Sequence, residues 1–331
     1  MRYSDAMAIS IKSVGKTVFV GRDAIPTATG IARRLGWFER EAALDETPLS
    51  FEGGGGHLWE GASTRALWER GEGRATRLIG LTWIDAFQAV VALPGAGIGG
   101  PEQLAGRRLA LPFDETAAID ERRAAASRGL HTALGLAGIF PGEVAHVDVD
   151  ASLALGGPYG AELAALASGE VDAIFVAGAA GAAAAARVGA TTVVDVGRHL
   201  DPAVRTSATT PAAIVADAEL LEREPNLVVR LLAVLLRAGA WAQLNAPQAT
   251  ELLAAETGAS TRDVQAAHGR NWPDQLHVDL SWRKLDALRA QHDFLVTHGF
   301  LARAVDLGAW VDPRPLGVAR ELLAAERVAW A

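Results

Sequence analysis

Apolar positions along the chain alternate between short runs with strand character and longer stretches with helical periodicity. Lys16 to Val20 (KTVFV) is a short apolar run that predicts a buried first strand. It ends at Gly21-Arg22-Asp23-Ala24-Ile25-Pro26, after which Thr27 to Leu35 predicts a helix with Thr27 as its cap. A second strand is expected near Pro48 to Glu52, and further strands at Arg77 to Thr82 and Ala86 to Leu93. Then come strands after Arg107, at Ala145 to Val149, at Val171 to Val176 and at Thr191 to Val196, with helices over Ile119 to Leu136, Gly160 to Ser168 and Ala179 to Val188. A strand near Pro211 to Val215 precedes a purely helical tail: residues 216–222, 226–245, 246–256, 261–268 and 281–298. Alternating strands and helices predict an α/β protein of two lobes, with the C-terminal helices packed on the first. The expected division is residues 1–108 plus 206–331 for lobe one and 109–205 for lobe two.

The stretch Phe51 to Arg65, FEGGGGHLWEGASTR, breaks the pattern. Consecutive glycines add nothing to a core and cost conformational entropy, so they mark a place where backbone approaches something closely. Gly53, Gly54, Gly55 and Gly56 run into His57, a group that titrates near neutral pH. Ser63 is placed to cap a helix continuing through Thr64 and Arg65, which would present amides and a guanidinium to an oxyanion. Asp23 and the glycine loop each follow a strand, at the rim where open α/β sheets bind ligands. Asp23, His57 and Arg65 are therefore the candidate chemical groups, expected to converge on one interlobe cleft. Trp59, Trp83, Phe113 and Phe175 are candidate aromatic walls, although residues of this kind are more often simply core.

Composition narrows the chemistry. With 331 residues the chain is long enough for two lobes. A net charge of −8 and no basic cluster interleaved with aromatics argue against a nucleic-acid groove. The absence of cysteine removes thiol catalysis, disulfides and thiolate metal sites together. The eight histidines form no HxH or HxxxH pair, and neither a metal nor a cofactor is expected. No run of about 18 apolar residues predicts a membrane span. The N-terminal residues carry no continuous apolar segment of a secretory signal, so a cytoplasmic protein is expected if Met1 is the native start. A monomer or weak dimer that binds a small aromatic anion fits this picture.

Two segments carry a resemblance. Leu104-Ala105-Gly106-Arg107-Arg108-Leu109-Ala110-Leu111-Pro112 and Leu166-Ala167-Ser168-Gly169-Glu170-Val171-Asp172-Ala173 resemble passages of the nitrate-, sulfonate- and taurine-binding group of the type II periplasmic-binding-protein fold. Ala75 to Gly80, Thr191 to Gly197, Leu231 to Trp241 and Leu285 to Leu301 resemble the aromatic sulfinate desulfinases, the 2'-hydroxybiphenyl-2-sulfinate desulfinase family, built on that fold. The resemblance implies a Cys nucleophile after the first strand with a His and an Arg downstream. The His falls on His57, and the Arg falls on Arg65, two residues nearer the His than in the family. The Cys position falls on Asp23. Thiolate desulfination is thereby excluded, and an aspartate raised in pKa by burial is expected to act as general acid or base. The compatible reactions are lyase-like: decarboxylation, elimination or a ring-closing condensation. Two alternatives stay open. Asp23 caps the helix that follows and the chain is a binding protein or sensor for aromatic sulfonates, or the chain is an inactive desulfinase relative that binds substrate.

Overall fold

The computed structural model describes residues 17–43, 48–51, 56–152 and 156–329. Lobe one begins with β1 (Val18–Arg22), α1 (Ala28–Arg34), α2 (Trp37–Ala42), β2 (Leu49–Ser50), β3 (Leu58–Ala62), α3 (Ser63–Gly71) and β4 (Thr76–Thr82). Lobe two holds β5 (Gln88–Ala92), β6 (Arg108–Phe113), α4 (Glu121–Leu136), β7 (Ala145–Asp150), α5 (Gly160–Ser168), β8 (Ile174–Ala177), α6 (Gly178–Arg187), β9 (Thr191–Asp195) and the short α7 (Pro202–Arg205). The chain then returns to lobe one through β10 (Ala212–Asp217) and continues as α8 (Ala218–Arg223), α9 (Pro225–Leu244), α10 (Ala246–Thr257), α11 (Thr261–His268), α12 (Trp282–Thr297), α13 (Leu307–Trp310) and α14 (Arg314–Ala329).

The first sheet runs β2-β1-β3-β10-β4, with β1, β2 and β3 parallel and β10 antiparallel to both its neighbours. Insertion of the returning strand β10 between β3 and β4 ties the two ends of the chain into one lobe. In lobe two, β5 lies between β8 and β9, and β6 pairs with β7. The Asp172 N–H donates to the Arg108 carbonyl (2.8 Å) and the Ala110 N–H to the Ala173 carbonyl (3.1 Å), joining the two parts edge to edge.

The first crossing between lobes falls at Trp83 to Phe87, well before the turn near Arg108 where the sequence reading places it. The physical reason is that β5 pairs with β8 and β9 in the second sheet; its apolar run is compatible with either lobe, and strand pairing assigns it. The two crossings are stitched together. Arg205 pairs with Asp85 at 2.6 Å, the Gln88 side-chain amide donates to the Arg205 carbonyl (3.1 Å), and the Thr210 hydroxyl donates to the Ile84 carbonyl (3.4 Å).

The helix α9 is long and apolar enough to cross a membrane, contrary to the expectation that no segment would be. Its Leu227, Leu231, Val234, Leu235 and Ala238 follow one helical face and are buried in the lobe-one core against Ile31, Ala32 and Leu316. At roughly 1.5–3 kcal/mol for each fully buried large aliphatic side chain, that packing accounts for the run of apolar residues. The tail helices α9, α10, α12 and α14 pack on lobe one, while α11 reaches across to α6 of lobe two. There the Phe87 N–H donates to the Ala267 carbonyl (2.6 Å), and Arg198 donates to the carbonyls of Ala266 and Ala267 (3.2 and 2.9 Å).

Candidate functional site

A cleft of about 760 Å³ lies between the lobes. Lobe one contributes Ala24 to Pro26, the end of β4 at Thr82 and the return segment Ser207 to Thr210; lobe two contributes Pro112, the first turn of α4, Tyr159, Phe175 and the small-residue face of α6. Residues Thr257 to Ser260 and His268 close one side. The walls are mostly apolar, with Glu121, Arg122, Glu162, Arg187 and Asp263 as the charged side chains of the lining, a setting that suits an aromatic body carrying an acid group.

Asp23 stands at the carboxyl end of β1, one residue before the cleft-lining Ala24. Its N–H donates to the Glu60 carbonyl (3.1 Å), extending the β1–β3 pairing, and its Oδ2 accepts the Ala62 N–H (2.8 Å) at the start of α3. A Cβ on Gly61 would overlap the Asp23 carboxyl, so glycine in this central strand is what admits the side chain. Burial raises the Asp23 pKa above the ordinary aspartate value, against the Ala62 amide and the Arg65 charge, which lower it. The carboxylate thus caps α3 from outside the helix.

Beneath it, Glu60 is fully buried on β3. Its carboxylate accepts the N–H groups of Ala28 (3.2 Å) and Thr29 (2.8 Å) and the Thr82 hydroxyl (3.3 Å), and burial raises its pKa. Thr27 caps the same helix by accepting the Gly30 N–H (3.0 Å), as the sequence predicts. The first amides of α1 are therefore satisfied from within the protein.

Of the candidate groups, Asp23 and Arg65 share one charge cluster, and His57 does not join it. His57 lies at the amino end of β3, where its Nδ1 accepts the Phe19 N–H (3.0 Å) and its carbonyl accepts the Asp217 N–H (2.8 Å). The five residue steps from His57 to Ala62, at about 3.3 Å each, put the two roughly 16 Å apart. Reading residues 51–65 as one loop collapses that distance; the fully buried strand LWEGA restores it. Gly56 is on the same far rim, packed against Phe19 and Gly21 of β1, while Gly53, Gly54 and Gly55 lie outside the described residues.

The remaining candidates divide by burial. Trp59 is a core residue among Leu67, Leu78, Val215 and Trp310, with the Arg65 guanidinium 5.9 Å from its ring centre. Ser63 and Thr64 are buried and do not cap α3; the Ser63 hydroxyl donates to the Ala208 carbonyl (3.3 Å), anchoring the cleft-lining return segment. Trp83 belongs to the crossing, where its indole N–H donates to Asp85 (2.9 Å). Phe113 ends β6 and is outside the cleft lining, whereas Phe175 is a cleft wall, its ring packed where a Cβ on Gly129 would sit. Arg65 is partly buried, with its Nε donating to Glu69 (3.1 Å).

Sequence reasoning passes over four groups in the cleft. Glu121 opens α4 and lines the cleft; burial and the charge of Asp23 push its carboxyl up to about 7, offset in part by Arg65. Arg122 donates to both oxygens of the buried Glu162 (2.6 and 2.8 Å). Tyr159 takes a left-handed backbone (φ 62°) and its hydroxyl bridges the Ala177 N–H and carbonyl (2.9 and 3.1 Å). His268 is buried, with its Nδ1 3.1 Å from the Asp85 carbonyl, a partner that requires the proton on Nδ1; burial lowers its pKa to about 4, so the ring is neutral at pH 7. The acidic run around Glu121 looks like an ordinary helix start, and the one available signal is a Pro112-to-Glu121 connection between a strand and a helix, the position that Asp23 also occupies in lobe one. Among the described residues no group of three His, Cys, Asp or Glu side chains is arranged to hold a metal.

This fold defines a class: the two-lobe architecture of periplasmic binding proteins, with a cleft between the lobes. The structure aligns with the desulfurization enzyme DSZB at a TM-score of 0.74 and 22% identity, covering 92% of this chain and 99% of that one. A Cys-to-Ser mutant of that enzyme in complex with biphenyl-2-sulfinic acid aligns at 0.73 and 23%. The periplasmic aliphatic sulphonate-binding protein SsuA of Escherichia coli aligns at 0.69 and 15% identity over 90% of this chain and 92% of that one. In sequence, the chain is 32% identical over 152 residues to the 2'-hydroxybiphenyl-2-sulfinate desulfinases of Rhodococcus erythropolis and Rhodococcus qingshengii. That stretch is 46% of this chain and 40% of theirs, so the similarity spans less than half of the relatives' length. No protein-family model matches the chain.

Proposed function

We propose that this chain is an enzyme that acts on an aromatic or heteroaromatic acid by acid/base chemistry, on a desulfinase-like scaffold without the desulfinase thiol. One observation carries the reading: a partly buried aspartate of raised pKa, held by a backbone amide beside a guanidinium, directly precedes Ala24 on the wall of a large, mostly apolar cleft. Asp23 is the general base and Arg65 the electrostatic anchor for the acid group. The compatible reactions remain decarboxylation, elimination and ring-closing condensation. The likeness to a sulfonate-binding protein supports a second reading, a binder of aromatic anions in which Asp23 has only its capping role.

The test is incubation of the protein with aryl carboxylates, sulfinates and sulfonates, following carbon dioxide, sulfite and organic products. Turnover of none of them, alongside calorimetric binding of one, rejects the enzyme in favour of the binder. Binding also tests Arg65. A partly buried guanidinium already paired with Glu69 gives part of its strength to that pair, so Arg65→Ala is expected to weaken an aryl anion by about 10- to 100-fold. Calorimetry showing unchanged affinity removes Arg65 from the anchor role.

A further inference from the structure

We infer that His268 is a ligand-binding residue of the cleft: its Nε2 accepts a hydrogen bond from an uncharged O–H or ring N–H on the aromatic body, away from the acid group. The ligand is then an aromatic acid that carries a second, neutral donor. This contact rests on the reading of the cleft as a seat for an aromatic ligand, and it holds for a catalyst and a binder alike.

His268 is the last residue of α11 and lines the cleft. The crossing between the lobes fixes it in place. The preceding Ala267 carbonyl accepts the Phe87 N–H (2.6 Å) and Arg198 (2.9 Å), and the His268 Nδ1 lies 3.1 Å from the Asp85 carbonyl. Ala86, between those two crossing residues, is itself part of the lining, so the ring stands on the wall that the crossing forms. Asp85 is held in turn. Its N–H donates to the Gln275 side-chain oxygen (2.7 Å), and its carboxylate takes the Trp83 indole N–H (2.9 Å) and Arg205 (2.6 Å).

A carbonyl can only accept, so the proton of the neutral ring sits on Nδ1 and Nε2 keeps a bare lone pair. Among the described residues no group bonds to Nε2. It is also not one of the fully occluded polar atoms that lack a partner, so this otherwise buried ring keeps its Nε2 open, with the cleft beside it. Burial lowers the pKa to about 4, which makes the ring a weak base and an uncharged acceptor at pH 7. An ionised acid group only accepts hydrogen bonds and is turned away from this wall. Burial and the Arg198 charge, which disfavour a cation on the ring, act equally against a cationic donor next to it. A neutral donor remains, and a ligand without one strips Nε2 of solvent and gives nothing back.

Nitrogen-15 NMR of the full chain labelled at its histidine rings tests the contact with two matched pairs of probes: phenol and anisole, indole and 1-methylindole. Before any probe is added, one ring is expected to show a protonated Nδ1 and a bare Nε2 at pH 7. That signal is expected to be absent from His268→Asn, whose shorter amide can still donate to the Asp85 carbonyl. His268→Gln supplies the assignment if the asparagine variant fails to fold. Phenol and indole are expected to move the Nε2 resonance, while their methylated partners leave it in place. Phenol is expected to bind roughly 3- to 10-fold more weakly to His268→Asn, and anisole equally to both proteins. A shift with only one of the two donors supports the contact and narrows it to O–H or to N–H. A proton on Nε2 in the free protein, a resonance unmoved by both donors, or one moved equally by the methylated probes overturns it. Donor-dependent shifts in a protein that turns over no aryl acid reject the enzyme and leave His268 in its role; turnover alongside an unmoved Nε2 does the reverse.

Discussion

Asp23→Asn is expected to lower turnover by about 10²–10⁴-fold while ligand affinity and thermal stability change little. The asparagine side-chain oxygen can still accept the Ala62 N–H, so the start of α3 keeps its cap, and the shape beside Gly61 is conserved. Only the basicity is lost. The base must be ionised to act, and burial holds its pKa above the ordinary aspartate value, so activity is expected to rise with pH through a limb displaced upward from that value. If Asp23 merely caps, asparagine serves equally well and steady-state kinetics will be unchanged. Asp23→Cys tests the same position from the other side. Sulfite release from an aryl sulfinate by that variant would mean that the remaining machinery is intact and that one side chain redirected the chemistry.

Glu60→Ala is expected to cost about 3–5 kcal/mol of folding stability, read as a lower urea midpoint at unchanged slope. It strands two amide N–H groups of α1 and the Thr82 hydroxyl in a fully buried setting, where each unmatched donor costs on the order of 1–3 kcal/mol. The β1–α1 loop that carries Asp23 is then unsupported, and turnover falls with stability. A pH signature distinguishes this group from a packing defect. The folded-state pKa of Glu60 is raised, so its contribution is fully present below the ordinary glutamate value and is lost as pH rises through the raised one. Wild-type stability relative to Glu60→Gln should therefore decline from the ordinary glutamate range upward. A difference between the two that is flat with pH would show that Glu60 titrates alike in both states.

The desulfinase likeness and the two-lobe fold were both legible in the sequence, because each rests on stretches whose local chemistry is self-contained. The same holds for Asp23. A short apolar strand and a Thr-capped helix read correctly in isolation, although β1 runs on through Gly21 and Arg22, and they set Asp23 at a strand end. The run Leu58 to Ala62 was illegible for the opposite reason. A strand holding Trp, Glu and Gly has neither alternation nor an apolar run, and it exists because β1 and β10 pair with it from both sides while Asp23 and α1 occupy the spaces that its Gly61 and Glu60 serve.

The two outcomes have one physical cause. Strand and helix starts follow from side chains within a few positions of one another, so the lobe count, the strand-end position of Asp23 and most of the element order, though not β3 or α14, were legible before any tertiary contact was known. Which groups face one another depends on hydrogen-bond pairing and lobe packing between distant segments, which local periodicity does not encode. Pairing and packing between distant segments decided that β5 belongs to lobe two, that His57 lies about 16 Å from Ala62 at the far end of β3, and that Glu121 of the second lobe lines the same cleft as Ala24 of the first.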